Sequence, residues 1–195
     1  KTIRISGIWD PSAAAMARMA AELPAMPHEA SAAALIEGAD CVYIASPPAT
    51  HLAHAAAALA RNRAVFCEKP LAVDVAAAAE FVAAHAEARA AVNFPMASSA
   101  GVATLQAWLD AGVIGAPRSL AIEVAFATWP RAWQRDAVGW LDGTAQGGFT
   151  REVVSHFLFL TRRLCGRLTL LAGEASFPEA GRSERAISAT LQAGG

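Results

Sequence analysis

Apolar residues fall in short unbroken runs early in the chain and in alternation later. Cys41-Val42-Tyr43-Ile44-Ala45, Ala64-Val65-Phe66-Cys67 and Ala91-Val92-Asn93-Phe94 show little alternation and stop at polar or proline-rich stretches. Such runs suit strands of a parallel sheet covered on both faces. Ile3 to Trp9 alternates loosely and reads as a further strand. Helices fit between these runs. Residues 12–22 follow Asp10-Pro11, Ser31 caps a short helix that Gly38 ends, Thr50 to about Arg61 is helical, and Asp74 caps a helix reaching about Arg89. Strands alternating with helices imply a parallel sheet with right-handed crossovers. Ligands bind such sheets outside the carboxyl ends of the strands.

The character changes after residue 95. A helix near 100–111 ends at Gly112. Arg118 to Thr128 then alternates, with Leu120, Ile122, Val124 and Phe126 on one face, and predicts a long strand. A tryptophan-rich stretch from Trp129 to Trp140 and the pair Gly147-Gly148 precede an apolar helix at about 150–165. Strand-like segments follow near 167–177 and 185–191. The expected division is therefore an α/β domain with a parallel sheet over 1–95, followed by an α+β domain with an open or antiparallel sheet over 96–195. The first domain would be incomplete at its start and the second at its end.

The 195 residues are 55% hydrophobic and 17% charged, which suits a folded core and excludes a disordered chain. With 16 basic and 17 acidic residues the net charge is -1. There is no basic field to hold nucleic acid. No apolar run reaches the roughly 18 residues that span a bilayer, so no membrane partner is expected. Cys41, Cys67 and Cys165 lie far apart, form no metal-ligand spacing, and read as thiols in a reducing cytoplasm, with Cys41 and Cys67 buried. No metal site is expected.

Polar residues collect where the strands end. Asp10 can accept hydrogen bonds from the ribose hydroxyls of a dinucleotide, or simply cap the helix that follows. Ser46-Pro47-Pro48 stops the next strand, and His51 lies one turn further, facing the presumed crevice. Glu68-Lys69-Pro70 stops the third. The chain has only two lysines, Lys1 and Lys69, and otherwise uses arginine. A lone lysine at a strand end points to an amine that must titrate or act as a compact donor, or else to a surface partner for Glu68. Glu152 and His156 are four apart on one helix, so the carboxylate can orient the imidazole, or the two form a routine helix pair. Gly147-Gly148 would let a backbone approach a ligand closely.

Taken in order, Ser46-Pro47-Pro48-Ala49-Thr50-His51, Glu68-Lys69-Pro70-Leu71-Ala72, Trp140-Leu141-Asp142-Gly143, Gly147-Gly148 and Glu152…His156 resemble the Gfo/Idh/MocA family of glucose-fructose oxidoreductase and inositol dehydrogenase type. The resemblance implies a Rossmann domain followed by a large, mostly antiparallel sheet that assembles homodimers or homotetramers. It implies NAD, with NADP as an alternative, held by Asp10, Ser46, Pro47, Pro48, His51, Glu68 and Lys69, and by a glycine-rich loop expected about 20 residues before Asp10. It implies catalysis by Lys69, His156 and Glu152 on a CH–OH group of a sugar, inositol or related polyol, with Lys69 and His156 converging beside the nicotinamide. This sequence departs from the family in having Pro48 for Asn, Glu152 for Asp and Val154 for a small residue. Those changes leave a non-catalytic dinucleotide or sugar sensor as the other reading.

Overall fold

A computed structural model describes residues 3–194; Lys1, Thr2 and Gly195 lie outside the described residues. The chain divides into two compact units, Lys1–Asn93 and Phe94–Gly195.

The first unit is α/β. Its helices are α1 (Ala13–Glu22), α2 (Ala32–Gly38), α3 (His51–Leu59) and α4 (Val75–Ala84), and its strands β1 (Cys41–Ile44), β2 (Ala64–Glu68) and β3 (Ala90–Asn93). The strands form one parallel sheet in the order β1-β2-β3, with Ile44 beside Cys67 and Glu68 beside Asn93. Ser12, Ser31 and Asp74 each sit in extended backbone and accept an amide proton three residues on, from Ala15, Ala34 and Ala77. Local capping chemistry therefore sets three helix starts. Helix α4 stops at Ala84 rather than Arg89, because His85 leaves helical geometry and folds its ring flat against Phe81 at 4.3 Å.

The core lies on one face of this sheet. Val42, Ile44, Val65 and Cys67 alternate inward and pack with Ile36, Ala39, Ala55 and Ala58. Each large side chain buried there contributes about 1.5–3 kcal/mol. The opposite face carries Cys41, Tyr43 and Phe66, with Tyr43 54% and Phe66 39% exposed. The apolar runs are thus covered on one face, and Cys41 is an exposed thiol while Cys67 is buried. A short apolar run does not reveal which of its alternate positions meets a helix. The expected strand over 3–9 reduces to one parallel bridge, Ile8 with His28, in which Ile8 N–H donates to Pro27 and Glu29 N–H donates to Ile8.

The second unit holds α5 (Ala100–Asp110), a 3₁₀ segment (Ala132–Ala137), α6 (Val138–Leu141), a π-helical turn (Thr150–Val154) running into α7 (Ser155–Cys165), and the antiparallel pair β4 (Leu168–Ser176) and β5 (Ala186–Ala193). The alternating segment 118–128 forms no ladder among the described residues. Alternation prescribes a pleated chain but not a partner, and β4 and β5 satisfy each other. Leu120, Ile122 and Phe126 therefore stay partly exposed and wall a cavity of about 1630 Å³ together with Leu158, Leu170 and Ile187. No described helix is long and apolar enough to cross a membrane.

Candidate functional site

In the first unit, two loops leave the carboxyl ends of β1 and β2. The loop after β1 is stiffened locally. Pro47 is extended, Pro48 opens a single 3₁₀ turn and is buried, the Thr50 hydroxyl donates to the Pro47 carbonyl at 2.8 Å, and Ser46 Oγ lies 2.6 Å from Thr50 Oγ1. Two prolines fix φ there and remove two backbone donors. His51 does not face an open crevice. Its ring is fully buried, with Nε2 2.7 Å from the Ser46 carbonyl and Nδ1 2.8 Å from the Pro70 carbonyl. His54, one turn on, meets Trp9 edge-on at 6.2 Å.

Glu68 closes β2 and is gripped from both neighbouring strands. Its Oε1 accepts from the Tyr43 hydroxyl at 2.5 Å and from Asn93 Nδ2 at 2.7 Å. Three strands thus share one carboxylate, which holds the following Lys69 and Pro70 in place; the Lys69–Pro70 peptide is cis. Desolvation of the phenol, reinforced by the hydrogen bond to Glu68 and its charge and opposed by Asn93, pushes Tyr43 up to about 12. Burial, then the charge of Glu68, pushes the Cys67 thiol up to about 11. Tyr43 is the chain's single tyrosine, so tyrosinate absorbance reads it alone. The expected midpoint is near 12, and Glu68→Gln should bring it down toward the ordinary value of about 10. The phenol is harder to ionise in the folded chain. Folding therefore favours the neutral phenol, by burial first and by the Glu68 contact second; that contribution is complete below about pH 10 and is lost as pH rises through 12. A folded-state midpoint at the ordinary value would remove the Glu68 contact.

Asp10 is exposed, and its Oδ1 accepts the Ser12 amide proton at 2.7 Å. Ser12, not Asp10, is the cap of α1. Asp10 braces the cap with one oxygen, and a carboxylate has a second to offer a ribose hydroxyl.

In the second unit the paired glycines answer a need of the chain itself. A Cβ on Gly147 would overlap the backbone of Trp140 and Leu141. Gly148 has φ +115, and a Cβ there would lie 2.8 Å from Glu184 Oε2. Glu184, only 7% exposed, reaches over Gly148 and accepts the Thr150 amide proton at 2.5 Å. The start of the π-helical turn is therefore capped by a carboxylate 34 residues away, where amide protons and the helix dipole favour negative charge. The close approach expected of the glycines is made by Leu141 and Glu184. Glu152 lies within this turn and lines a cavity of about 270 Å³ with Trp133, Gln134, Asp136 and Trp140. His156 is in the first turn of α7; its ring stands edge-on to Phe94 at 5.7 Å, and Phe94 stacks flat on Phe159 at 4.1 Å. Trp129 packs against Phe149 and donates to Ser183 Oγ at 3.2 Å.

Asp142, only 6% exposed, anchors the approach to the glycines. It accepts from Ser183 Oγ at 2.8 Å and from Arg185 Nη1 and Nη2 at 2.8 and 3.1 Å, with Arg182 at 3.3 Å. Burial alone would push its carboxyl up. The hydrogen bonds from Arg185 and Ser183 and the charges of Arg185 and Arg182 outweigh this and hold it below the usual carboxylate range. Asp142→Asn should cost about 2–3 kcal/mol of unfolding free energy at neutral pH, since one of several charge-assisted contacts is half exposed. A lowered carboxyl contributes stability above its unfolded pKa of about 3.9. The gap between wild type and variant should therefore close as pH falls below about 4 and through the lower folded value. A gap independent of pH would show that the charge of Asp142 does not matter.

Sequence reasoning placed Ser46, His51, Glu68 and Lys69 in two adjoining loops, and the structure ties those loops through His51. It missed Tyr43, Asp142, Ser183, Glu184 and Arg185 as site-building residues. The one available signal was the polar run Arg182-Ser183-Glu184-Arg185 just before β5.

Residues 1–94 match the model of an oxidoreductase family with an NAD-binding Rossmann fold, the Gfo/Idh/MocA family. A search of the curated proteins found no match. Among solved structures, the chain is similar to the WlbA dehydrogenase from Bordetella pertussis in complex with NADH and UDP-GlcNAcA, at 23% identity over 95% of this chain and 58% of that one, with a TM-score of 0.78. It is similar to an oxidoreductase from Thermotoga maritima, at 16% identity over 97% and 60%, TM-score 0.76. An oxidoreductase domain protein from Kribbella flavida matches at 24% identity over 96% and 56%, TM-score 0.71. At these identities the likeness shows the fold. The chain spans between 48% and 60% of the length of the solved chains it matches. Residues 1–94, the unit whose parallel sheet carries the Ser46 and Glu68-Lys69-Pro70 loops, thus match the NAD-binding Rossmann domain of the Gfo/Idh/MocA oxidoreductase family.

Proposed function

We propose that the chain works as an NAD-dependent oxidoreductase that moves a hydride between the nicotinamide and a CH–OH carbon of a sugar, inositol or related polyol. The observation that carries this reading is the place of Lys69. It is the only lysine besides Lys1, held at the carboxyl end of the central strand of a parallel sheet in a unit of an NAD-binding family.

The donor set suits a dinucleotide. Asp10 offers an exposed carboxylate oxygen for a ribose and would repel a 2′-phosphate, favouring NAD over NADP. The Ser46-Pro47-Pro48 loop and Glu68-Lys69 follow the strand ends, where such ligands lie. When bound, NAD supplies the hydride acceptor. Lys69 donates a hydrogen bond to the substrate oxygen as negative charge builds on it. His156 takes the hydroxyl proton, and Glu152, one turn earlier, orients the ring. The sugar class is supported by the Bordetella dehydrogenase, which is described with NADH and UDP-GlcNAcA. Assembly into homodimers or homotetramers and a cytoplasmic setting, which would keep Cys41, Cys67 and Cys165 as free thiols, belong to the same proposal.

NADH fluorescence titration of the chain, followed by NAD with a panel of sugars, inositols and sugar nucleotides, tests the reading. Saturable NADH binding and growth of the reduced-nicotinamide absorbance with one of these substrates are expected. Binding without any absorbance change across the panel would favour the sensor, and failure to bind NADH would sink both.

A further inference from the structure

We propose that His51 is a positioning residue that ties the backbone of the Ser46 loop to the backbone of the Glu68-Lys69-Pro70 loop, so that the two keep one relative geometry. The ring stands at the start of α3 and is 0% exposed. Its nitrogens lie 2.7 Å from the Ser46 carbonyl and 2.8 Å from the Pro70 carbonyl, both ordinary N–H···O distances. Both partners are acceptors only, so the ring N–H donates to one carbonyl while the other edge of the ring closes on the second.

Pro47, Pro48 and Pro70 supply no backbone N–H. The hydrogen bonds that stiffen the first loop, Ser46 with Thr50 and Thr50 with Pro47, stay inside it. A buried carbonyl without a donor is costly, and His51 meets one from each loop. The ring thereby spans 19 residues of sequence from Pro70 while its other edge reaches back five to Ser46. The tether is a property of this unit and does not depend on the cofactor reading; its effect on NADH does rest on that reading.

Asparagine places its amide nitrogen near the position of Nδ1, and glutamine near that of Nε2. The test compares His51→Asn, His51→Gln and His51→Leu in the full 195-residue chain, by amide order parameters from nuclear magnetic resonance. His51→Asn keeps the donor to Pro70 and should loosen 46–50 while leaving 69–72 ordered. His51→Gln should do the reverse, and His51→Leu should loosen both. In the wild type, long-range proton–nitrogen spectra should show a slowly exchanging proton on the His51 ring. The NADH dissociation constant should rise roughly fivefold for each hydrogen bond lost. A ring proton that exchanges freely with solvent, equal loosening of both loops by asparagine and glutamine, or a leucine variant as ordered as wild type would each overturn the tether. If the leucine variant fails to fold, the other two still decide. If the wild type does not bind NADH, the cofactor reading fails while the order parameters continue to judge the tether.

Discussion

Replacing Lys69 with methionine should lower turnover on a true polyol substrate by about 10²–10⁴-fold while leaving NADH affinity within a few-fold of wild type. Methionine keeps the unbranched stem and removes only the amine. The grip of Tyr43 and Asn93 on Glu68 next door is untouched, so the loop keeps its shape. The loss then measures what the ammonium group does for the oxygen on which charge develops. His156→Asn should cause a loss of similar size, because it removes the proposed base but keeps a planar group beside Phe94. Acting on one proton, the two changes should combine to much less than the product of their single effects. Steady-state kinetics of the two variants and the double variant, with NADH titrations alongside, check this. Wild-type turnover in both single variants would remove these residues from the chemistry.

Gly147→Ala should cost the second unit about 3–5 kcal/mol, enough to shift its urea midpoint severely or prevent its folding. The added Cβ would run into main-chain atoms of Trp140 and Leu141, and main chain cannot rotate away as the end of a side chain can. Gly148→Ala should cost less, about 1–3 kcal/mol, through its φ of +115 and the nearby end of Glu184. Gly101 is the control. It lies inside α5 with nothing near its missing Cβ, so Gly101→Ala should be neutral or stabilising by about 0.5–1 kcal/mol. Of the five tryptophans, Trp108, Trp129, Trp133 and Trp140 belong to the second unit, so tryptophan fluorescence during urea unfolding reports mainly on that unit. Equal midpoints for the Gly147 and Gly101 variants would show that the turn has room to move.

These predictions treat the two glycines as structural and the lysine as chemical. The sequence alone supported the second view better than the first. A glycine pair before a helix reads equally well as space for a ligand or as space for the chain's own backbone. For Gly148 the reason lies with Glu184, a residue 36 positions further on, and no local pattern points that far. Asp142 shows the same limit. Its neighbours Trp140-Leu141-Asp142-Gly143 were readable as a motif, but its partners Ser183 and Arg185 lie 41 and 43 residues away.

What the sequence determined by itself is local. Ser12, Ser31 and Asp74 cap helices because their side chains reach an amide three residues ahead, and the apolar runs near 42, 65 and 91 became strands of one parallel sheet. The lone lysine and the proline-rich loops at the strand ends were also visible as letters. Tertiary structure decided which face of that sheet is covered, hence that Cys41 and Tyr43 are exposed while Cys67 is not. It denied the alternating segment 118–128 a ladder, because a strand exists only where another backbone offers hydrogen bonds. It also turned His51 inward. A side chain's identity fixes what it can donate or accept, but only the folded chain decides which distant carbonyl it meets.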